Sequence, residues 1–196
     1  MRAEVTRLHL PFLGSRTYLQ GTTILDGLLP LVPANASLVV NFPQLLFTDR
    51  LIVRSEQDSA SPACVVLKWR RGDERGAFLI YPSEPSRDPV RIPYDEDSLV
   101  QLASFEADCV RLDTASPHSF AATIVSLQKA LLHRVLPMSD PGRWLFVRLE
   151  LSQVPKAFIP LELKLLQLAS AKLARCEVRS SGEFTGILYF SWMPRP

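Results

Sequence analysis

The pattern of apolar and polar positions in the first part of the chain predicts a strand and then a helix. Residues 4–12 alternate between apolar and polar side chains, as expected for a short strand with one buried face. A helix is predicted to open at Gly21, where the hydroxyl of Thr22 or Thr23 can cap the first turn. Pro30 interrupts the apolar stripe, so we expect the helix to kink or end there. The stripe consists of Ile24, Leu25, Leu28, Leu29 and Val32.

Three or four strands are predicted after this helix. The last two are joined by Arg71-Gly72-Asp73-Glu74, which is typical of a hairpin turn. A proline-rich segment with little periodicity follows, and because prolines favour an extended chain we expect residues 85–104 to be a linker. The predicted strands are Ala36–Phe42, Arg50–Glu56, Ala63–Arg70 and Arg75–Pro82.

The same order of elements is predicted again after residue 104. A strand at Glu106–Leu112 leads to a loop at Ser116–Ser119 that can cap the next helix. That helix, Phe120–Leu136, has an apolar series at i, i+3 and i+4. Ser180–Glu183 is a predicted turn before the last strand. The predicted strands are Arg143–Leu151, Leu161–Leu168, Lys172–Arg179 and Thr185–Trp192.

The closing hairpins of the two halves align with each other. Gly72 and Gly76 in the first hairpin have the spacing of Gly182 and Gly186 in the second, each pair followed by an apolar strand. Together with the repeated strand–helix–strands order, this match predicts an internal duplication. The units would be residues 1–84 and 105–196, joined by the linker. A single α+β domain in which the two hairpins are similar by chance remains the alternative.

The composition narrows the class of protein. The chain has 196 residues, of which 47% are hydrophobic and 21% are charged, with a formal net charge of +2. Such a chain can bury about two thirds of its unfolded surface without a metal or disulfide. The balanced charge gives no dense basic surface for nucleic acid, and no apolar run approaches the roughly 20 residues of a membrane span. A signal segment is also absent from the pattern, so we expect a cytoplasmic protein.

The sequence offers no cofactor or metal motif. Cys64, Cys109 and Cys176 are too far apart for a metal or redox motif, and we expect them to be reduced core residues. The Gly-x-Ser-x-Gly pattern of one hydrolase class and the glycine-rich patterns of nucleotide sites do not occur. We therefore predict no metal and no cofactor.

Three segments carry a resemblance to a known fold. Residues 41–53, Asn-Phe-Pro-Gln-Leu-Leu-Phe-Thr-Asp-Arg-Leu-Ile-Val, resemble a strand pair of the hotdog fold, with Thr-Asp in place of its Gly-Asp turn. Residues 20–29 are similar to the Pro-Gly-Thr helix opening of polyketide-synthase dehydratases, which are double hotdogs. Residues 118–128 resemble the second-half segment of that family, which ends in Asp-x-x-x-Gln. The resemblance implies an α+β fold, a tandem double hotdog in which each half is a long helix wrapped by an antiparallel sheet.

The resemblance also implies a chemistry, the removal of water from a 3-hydroxyacyl thioester. In that family a histidine of the first half is the base and an aspartate of the second helix is the acid. Here the aspartate's position is Ile124, while Gln128 matches the family's glutamine. Gly21 matches the helix opening and Gln20 replaces its proline. Gln20, Gly21 and Gln128 are therefore the predicted substrate-binding residues.

Three side chains are candidates for the catalytic acid and base. His9 corresponds to the family's base, although its spacing to the helix opening is longer; the alternative is a surface or structural histidine. Asp26 lies one turn into the first helix, where the helix dipole alone favours an acid. His118 precedes the second helix and can instead have a loop or capping role. We hypothesise that Asp26 and His118 meet as acid and base.

The predicted function is that of a dehydratase-like protein acting on a 3-hydroxyacyl chain in polyketide or fatty-acid biosynthesis. Its partners would be an acyl thioester on acyl carrier protein or coenzyme A, and components of a synthase, with no nucleic acid and no membrane span. We expect a monomer or a homodimer. Two alternatives stay open: a non-catalytic protein that binds an acyl chain or a carrier, or serves as an assembly partner, and a thioesterase in which Asp26 activates water.

Overall fold

The computed structural model describes residues 5–55, 62–136, 141–170 and 172–194. The chain divides into two units, residues 1–94 and residues 95–196, which we call the first and the second unit. Each unit contains an antiparallel sheet and a helix with a buried apolar face.

The described residues of the first unit form one α-helix, α1 (Gly21–Leu28), which continues into a 3-10 turn (Leu29–Leu31). Pro30 lies in this turn, so the α-helix ends where the sequence predicted a kink or an early end. Its strands are β1 (Val5–His9), β2 (Phe12–Leu13), β3 (Ser37–Asn41), β4 (Arg50–Ser55), β5 (Val65–Arg71), β6 (Glu74–Pro82) and β7 (Arg91–Ile92). Five of them pair antiparallel in the order β1-β4-β6-β5-β3. β2 and β7 form a separate parallel pair.

The second unit is built around helix α3 (Phe120–Val135). The hydroxyl of Ser119 accepts from the amide of Ala122 at 3.1 Å and caps the helix, as predicted for this loop. A short helix, α2 (Glu96–Gln101), precedes it. The strands are β8 (Ser104–Glu106), β9 (Cys109–Leu112), β10 (Gly142–Leu151), β11 (Leu161–Ser170), β12 (Leu173–Ser180) and β13 (Glu183–Pro194). They pair antiparallel in the order β10-β13-β12-β11-β9-β8.

The two closing hairpins lie differently in their sheets. The turns form as predicted, and positive φ angles of +60° at Gly72 and +83° at Gly182 explain why glycine stands at each of them. In the first unit the second strand of the hairpin, β6, pairs with β4, whereas in the second unit the second strand of the hairpin, β13, pairs with β10. The hairpins therefore match in sequence while the places of their two strands are exchanged.

Three local predictions differ from the structure. Neither Thr22 nor Thr23 caps α1, because the helix begins at Gly21 and its N-cap is Gln20 without a side-chain cap. The strand predicted at Glu106–Leu112 is the hairpin β8–β9, with Ala107 at φ +44° in its turn. The segment 85–104 contains β7 and α2, and the side chain of Asp95 caps α2 by accepting from Ser98 N at 3.1 Å.

Several further features bear on function. No helix in the described part of the chain is long and apolar enough to cross a membrane. Within the same residues, no group of three or more His, Cys, Asp and Glu side chains could hold a metal ion. The three cysteines are unpaired, and burial raises the pKa of both the Cys109 and the Cys176 thiol. Both thiols are therefore poor nucleophiles.

Candidate functional site

A cavity of about 820 Å³ opens in the first unit. Its polar lining includes His9, Asp49, Arg50 and Ser86, a group that we call the Arg50 cluster. β1 and β4 are paired neighbours, and they place His9 directly opposite Arg50. Ser86 comes from the proline-rich segment after β6. The cluster thus joins three parts of the chain that are distant in sequence.

His9, the predicted base of the first half, ends β1 within this cluster. Its Nε2 accepts a hydrogen bond from Nε of Arg50 at 2.5 Å and lies 3.1 Å from the Ser86 hydroxyl. Because Nε2 is an acceptor, neutral His9 carries its proton on Nδ1. The side chain is 62% exposed, so this arrangement is at the surface of the unit. Nε2 of His9 is thus occupied by the hydrogen bond from Arg50.

Asp49 anchors the cluster from beneath the surface. Its side chain is 5% exposed, and its Oδ1 accepts from the amide of Ser86 at 2.8 Å, while Oδ2 lies 3.8 Å from His9 Nε2. Burial by itself would raise the pKa of Asp49, but the hydrogen bonds from Ser86 outweigh it and lower the pKa. The neighbouring Thr48 hydroxyl donates to the carbonyl of Ser83 at 2.9 Å. Thr48 and Asp49 therefore fix residues 83–86 to the start of β4.

The predicted residues of the first helix lie at its opening. Gln20 is the N-cap residue of α1 and Gly21 is its first residue. The Gln20 amide lies 3.3 Å from the Thr22 hydroxyl, and its oxygen, turned toward Arg16, accepts from Nη1 at 2.6 Å. Asp26 is half-buried in the second turn. Gln20 is thus already engaged by Arg16, and its predicted substrate contact stays a prediction.

His118 lies just before α3 and contacts the start of α2. Its Nε2 is 3.2 Å from the carbonyl oxygen of Asp95, and its amide donates to the Ser116 hydroxyl at 3.1 Å. A carbonyl oxygen only accepts, so Nε2 of His118 is the donor. Lys129 of α3 binds Glu96 of α2 at 3.0 Å, which holds the two helices together. The hydrogen bond to Asp95 thus directs the His118 ring toward the start of α2.

Gln128 is a fully buried amide in the middle of α3. Its side chain is 0% exposed, and neither Oε1 nor Nε2 has a hydrogen-bond partner among the described residues. Ile124 lies one turn earlier on the same helix face and is also 0% exposed. Phe120, another turn earlier, packs edge-to-face on Phe158 with ring centroids 5.5 Å apart. The face that carries Gln128 is otherwise apolar.

The predicted site residues fall into separate groups. His9, Gln20, Gly21 and Asp26 belong to the first unit, while His118 and Gln128 belong to the second. The pairing of Asp26 with His118 joins the two units and stays a prediction. The sequence missed the Arg50 cluster apart from His9. Asp49 and Arg50 lie in residues 41–53, which were noted only for their resemblance to a hotdog strand pair. Ser86 lies in the proline-rich segment, where no sequence pattern indicated a functional residue.

Comparisons with known proteins found likenesses in structure. Protein-family models give no match, and no curated protein matches in sequence. A variant of the dehydratase domain of PpsC from Mycobacterium tuberculosis has a TM-score of 0.56 at 10% identity, over 99% of this chain and 94% of that chain. The same dehydratase domain in complex with C12:1-CoA has a TM-score of 0.54 at 11% identity, over 97% and 94%. A candidate thioesterase II from Thermobifida fusca YX has 0.52 at 10% identity, over 98% and 93%.

These likenesses extend over nearly the whole of each chain, and they agree with the helix and antiparallel sheet found in each unit. At such low identity they concern the fold and leave substrate and activity open. The chain therefore has the double-hotdog fold of these dehydratase domains.

Proposed function

We propose that the chain is an acyl-thioester-binding protein of the dehydratase-like group. Its ligand would be a 3-hydroxyacyl or acyl chain on acyl carrier protein or coenzyme A, in polyketide or fatty-acid biosynthesis. The observation that carries this proposal is Gln128, whose amide is fully buried without a partner. The PpsC domain of the same fold was solved with C12:1-CoA, a ligand of this class.

The chemistry of Gln128 suits such a ligand. A buried amide without partners costs about 1–3 kcal/mol, so a ligand that satisfies it is bound with that free energy in its favour. The amide offers both donors and an acceptor. A thioester carbonyl can accept from Nε2, and the hydroxyl of a 3-hydroxyacyl chain can donate to Oε1. The apolar side chains on the same helix face are suited to the hydrocarbon part.

Ile124 argues for binding as the main activity. It stands where the resemblance places the aspartate that protonates the leaving hydroxyl, and a buried aliphatic side chain cannot transfer a proton. One turn before Gln128 there is thus no side chain that could protonate a leaving hydroxyl. We therefore expect the chain to bind an acyl thioester, with no protonation of a leaving hydroxyl by residue 124.

Dehydration by His118 and Asp26 is the second candidate function. It is favoured by the hydrogen bond from Nε2 of His118 to the Asp95 carbonyl, because this bond orients the ring. His118 would take the proton next to the thioester carbonyl, and Asp26 would protonate the leaving hydroxyl. A base held in one orientation by a second group is the arrangement that such catalysis uses.

One set of measurements tests both functions. The purified chain is titrated by calorimetry with 3-hydroxyacyl and acyl chains on coenzyme A and on acyl carrier protein, and mass spectrometry follows loss of water and release of thiol. Saturable binding without turnover supports the binding function. Water loss that His118→Gln and Asp26→Asn abolish supports dehydration instead. Absence of saturable binding with either class, for coenzyme A and carrier-linked forms alike, contradicts the proposal.

A further inference from the structure

Arg50 forms no ion pair with a carboxylate of the described chain. Its Nε donates to His9 Nε2 and to the Ser86 hydroxyl, at 2.5 and 2.9 Å. These partners are a histidine nitrogen and a hydroxyl, and no described residue accepts from Nη1 or Nη2 or forms an ion pair with Arg50. The guanidinium is thus fixed along one edge, and two nitrogens remain for a ligand. This geometry matches the two oxygens of a carboxylate.

The cavity beside Arg50 also offers an apolar surface. Its volume of about 820 Å³ lies within the range of small-molecule sites. Leu10, Pro11, Val90 and Ile92 line it, and Val90 and Ile92 are 66% and 46% exposed. Apolar side chains left in contact with water beside a fixed cation suit a ligand with a charged end and an apolar body.

Opposite charges in the same lining narrow the ligand further. Glu84 and Asp88 line the cavity with Arg87, and none of the three has an ion pair or hydrogen bond with a described residue. Asp49 is already held by the Ser86 amide. The lining thus offers two carboxylates for an ammonium group beside the two cations, Arg50 and Arg87, for a carboxylate. A ligand with both charges fits this lining better than an anion.

We propose that this cavity binds a short apolar peptide with free termini. The peptide carboxylate pairs with the guanidinium of Arg50, its ammonium group is attracted by Glu84 and Asp88, and its side chains contact Val90 and Ile92. The site lies entirely in the first unit, whereas Gln128 lies in the second, so this proposal does not depend on acyl-thioester binding.

Calorimetry with the full chain tests the proposal by comparing the affinities of peptides that keep or lose one terminal charge. Leu-Leu and Leu-Leu-Leu are the probes, compared with their N-acetylated and C-amidated forms and with octanoate. We expect saturable binding of the free peptides, weakened about tenfold or more by amidation because a charge-assisted fork is lost. Acetylation should weaken binding to a smaller degree. Absence of saturable binding, equal affinity for the amidated peptides, or octanoate binding as tightly as the peptides would overturn the proposal.

Variants test the role of Arg50 separately. Arg50→Gln and Arg50→Lys should each weaken peptide binding about tenfold or more, since Lys keeps the charge but loses the fork. Arg70→Gln is the matched control, because Arg70 is exposed on the β5–β6 hairpin and donates to the Gly72 carbonyl. Peptide affinity that is unchanged in Arg50→Lys contradicts the carboxylate contact. If Arg50→Gln does not fold, Arg50→Lys and the amidated peptides decide.

Discussion

Replacing Gln128 by methionine should raise the stability of the protein and weaken its acyl-thioester binding. Methionine has nearly the shape of glutamine but needs no hydrogen bonds, so the change removes the unpartnered amide without creating a large cavity. The two effects have opposite signs. A purely structural glutamine would lose stability on substitution, and a glutamine that is only a defect would leave binding unchanged.

The size of each effect follows from the burial of the amide. At 0% exposure the full desolvation penalty applies, so Gln128→Met should stabilise the protein by about 1–3 kcal/mol. In a protein of this size, each kcal/mol shifts the melting temperature by about 2–4 °C. In the complex, the ligand's carbonyl or hydroxyl loses its partner at a similar cost of about 1–3 kcal/mol, which is roughly a 5- to 150-fold loss of affinity.

Thr123→Val is the matched control on the same helix. Thr123 is also 0% exposed, but its hydroxyl lies 2.6 Å from the Ser116 hydroxyl, so its hydrogen bond is made. Removing that bond should destabilise the protein by about 1 kcal/mol. Two buried polar side chains of one helix should thus respond with opposite signs, and the presence of a partner is the difference between them.

Calorimetric melting and ligand titration on both variants provide the assay. Melting is measured without ligand, and affinity is measured with 3-hydroxyacyl-coenzyme A. A melting temperature of Gln128→Met below that of the parent would refute the reasoning, because it would mean that the amide is satisfied in the folded chain. Affinity unchanged in a stabilised Gln128→Met would refute the ligand contact alone.

Three further outcomes are expected from urea unfolding. The pKa of Asp49 is lowered in the folded chain, so its contribution to stability is present above its unfolded pKa and is lost as the pH falls through the folded pKa. The difference in the free energy of unfolding between the parent and Asp49→Asn should therefore shrink in acid. A difference that is independent of pH contradicts the role of the Ser86 bonds. Ser119→Ala should cost about 1 kcal/mol by removing the cap of α3, and an unchanged midpoint would show the cap to be dispensable. Gly186→Ala should destabilise by about 1–3 kcal/mol or more, because its Cβ would lie 2.0 Å from the carbonyl oxygen of Glu150; a stable variant would mean that β10 and β13 separate easily.

Local patterns in the sequence were sufficient for most of the elements. The i, i+3, i+4 series predicted α3 to within one residue of its end, and the Gly72 and Gly182 turns were located by their glycines. The double-hotdog fold followed from the repeated order of elements and from segment resemblances, and nearly full-length structural likenesses support it. α2 was missed because it is six residues long, and only Leu99 among them is buried.

Features that depend on distant residues were not predictable in the same way. Alternation indicates which face of a strand is buried but not which strand lies beside it. The sequence pattern therefore could not show that β6 pairs with β4 while β13, at the same place in the second hairpin, pairs with β10. The Arg50 cluster depends on a hydrogen bond from Ser86 to Asp49, which are 37 residues apart. The unpartnered state of Gln128 is likewise a property of what surrounds it rather than of its own position.

The amide of Gln128 and the alkyl side chain of Ile124 together favour binding over catalysis. Natural domains have about 5–15 kcal/mol of stability, so an unpartnered amide that costs about 1–3 kcal/mol uses a substantial part of it. Ile124, one turn away, adds no such cost, because it is apolar and fully buried. Helix α3 thus has the buried Gln128 amide, which can contact a ligand, and lacks a carboxylate at position 124 that could transfer a proton. Binding energy, rather than proton transfer, is what this face of α3 can supply.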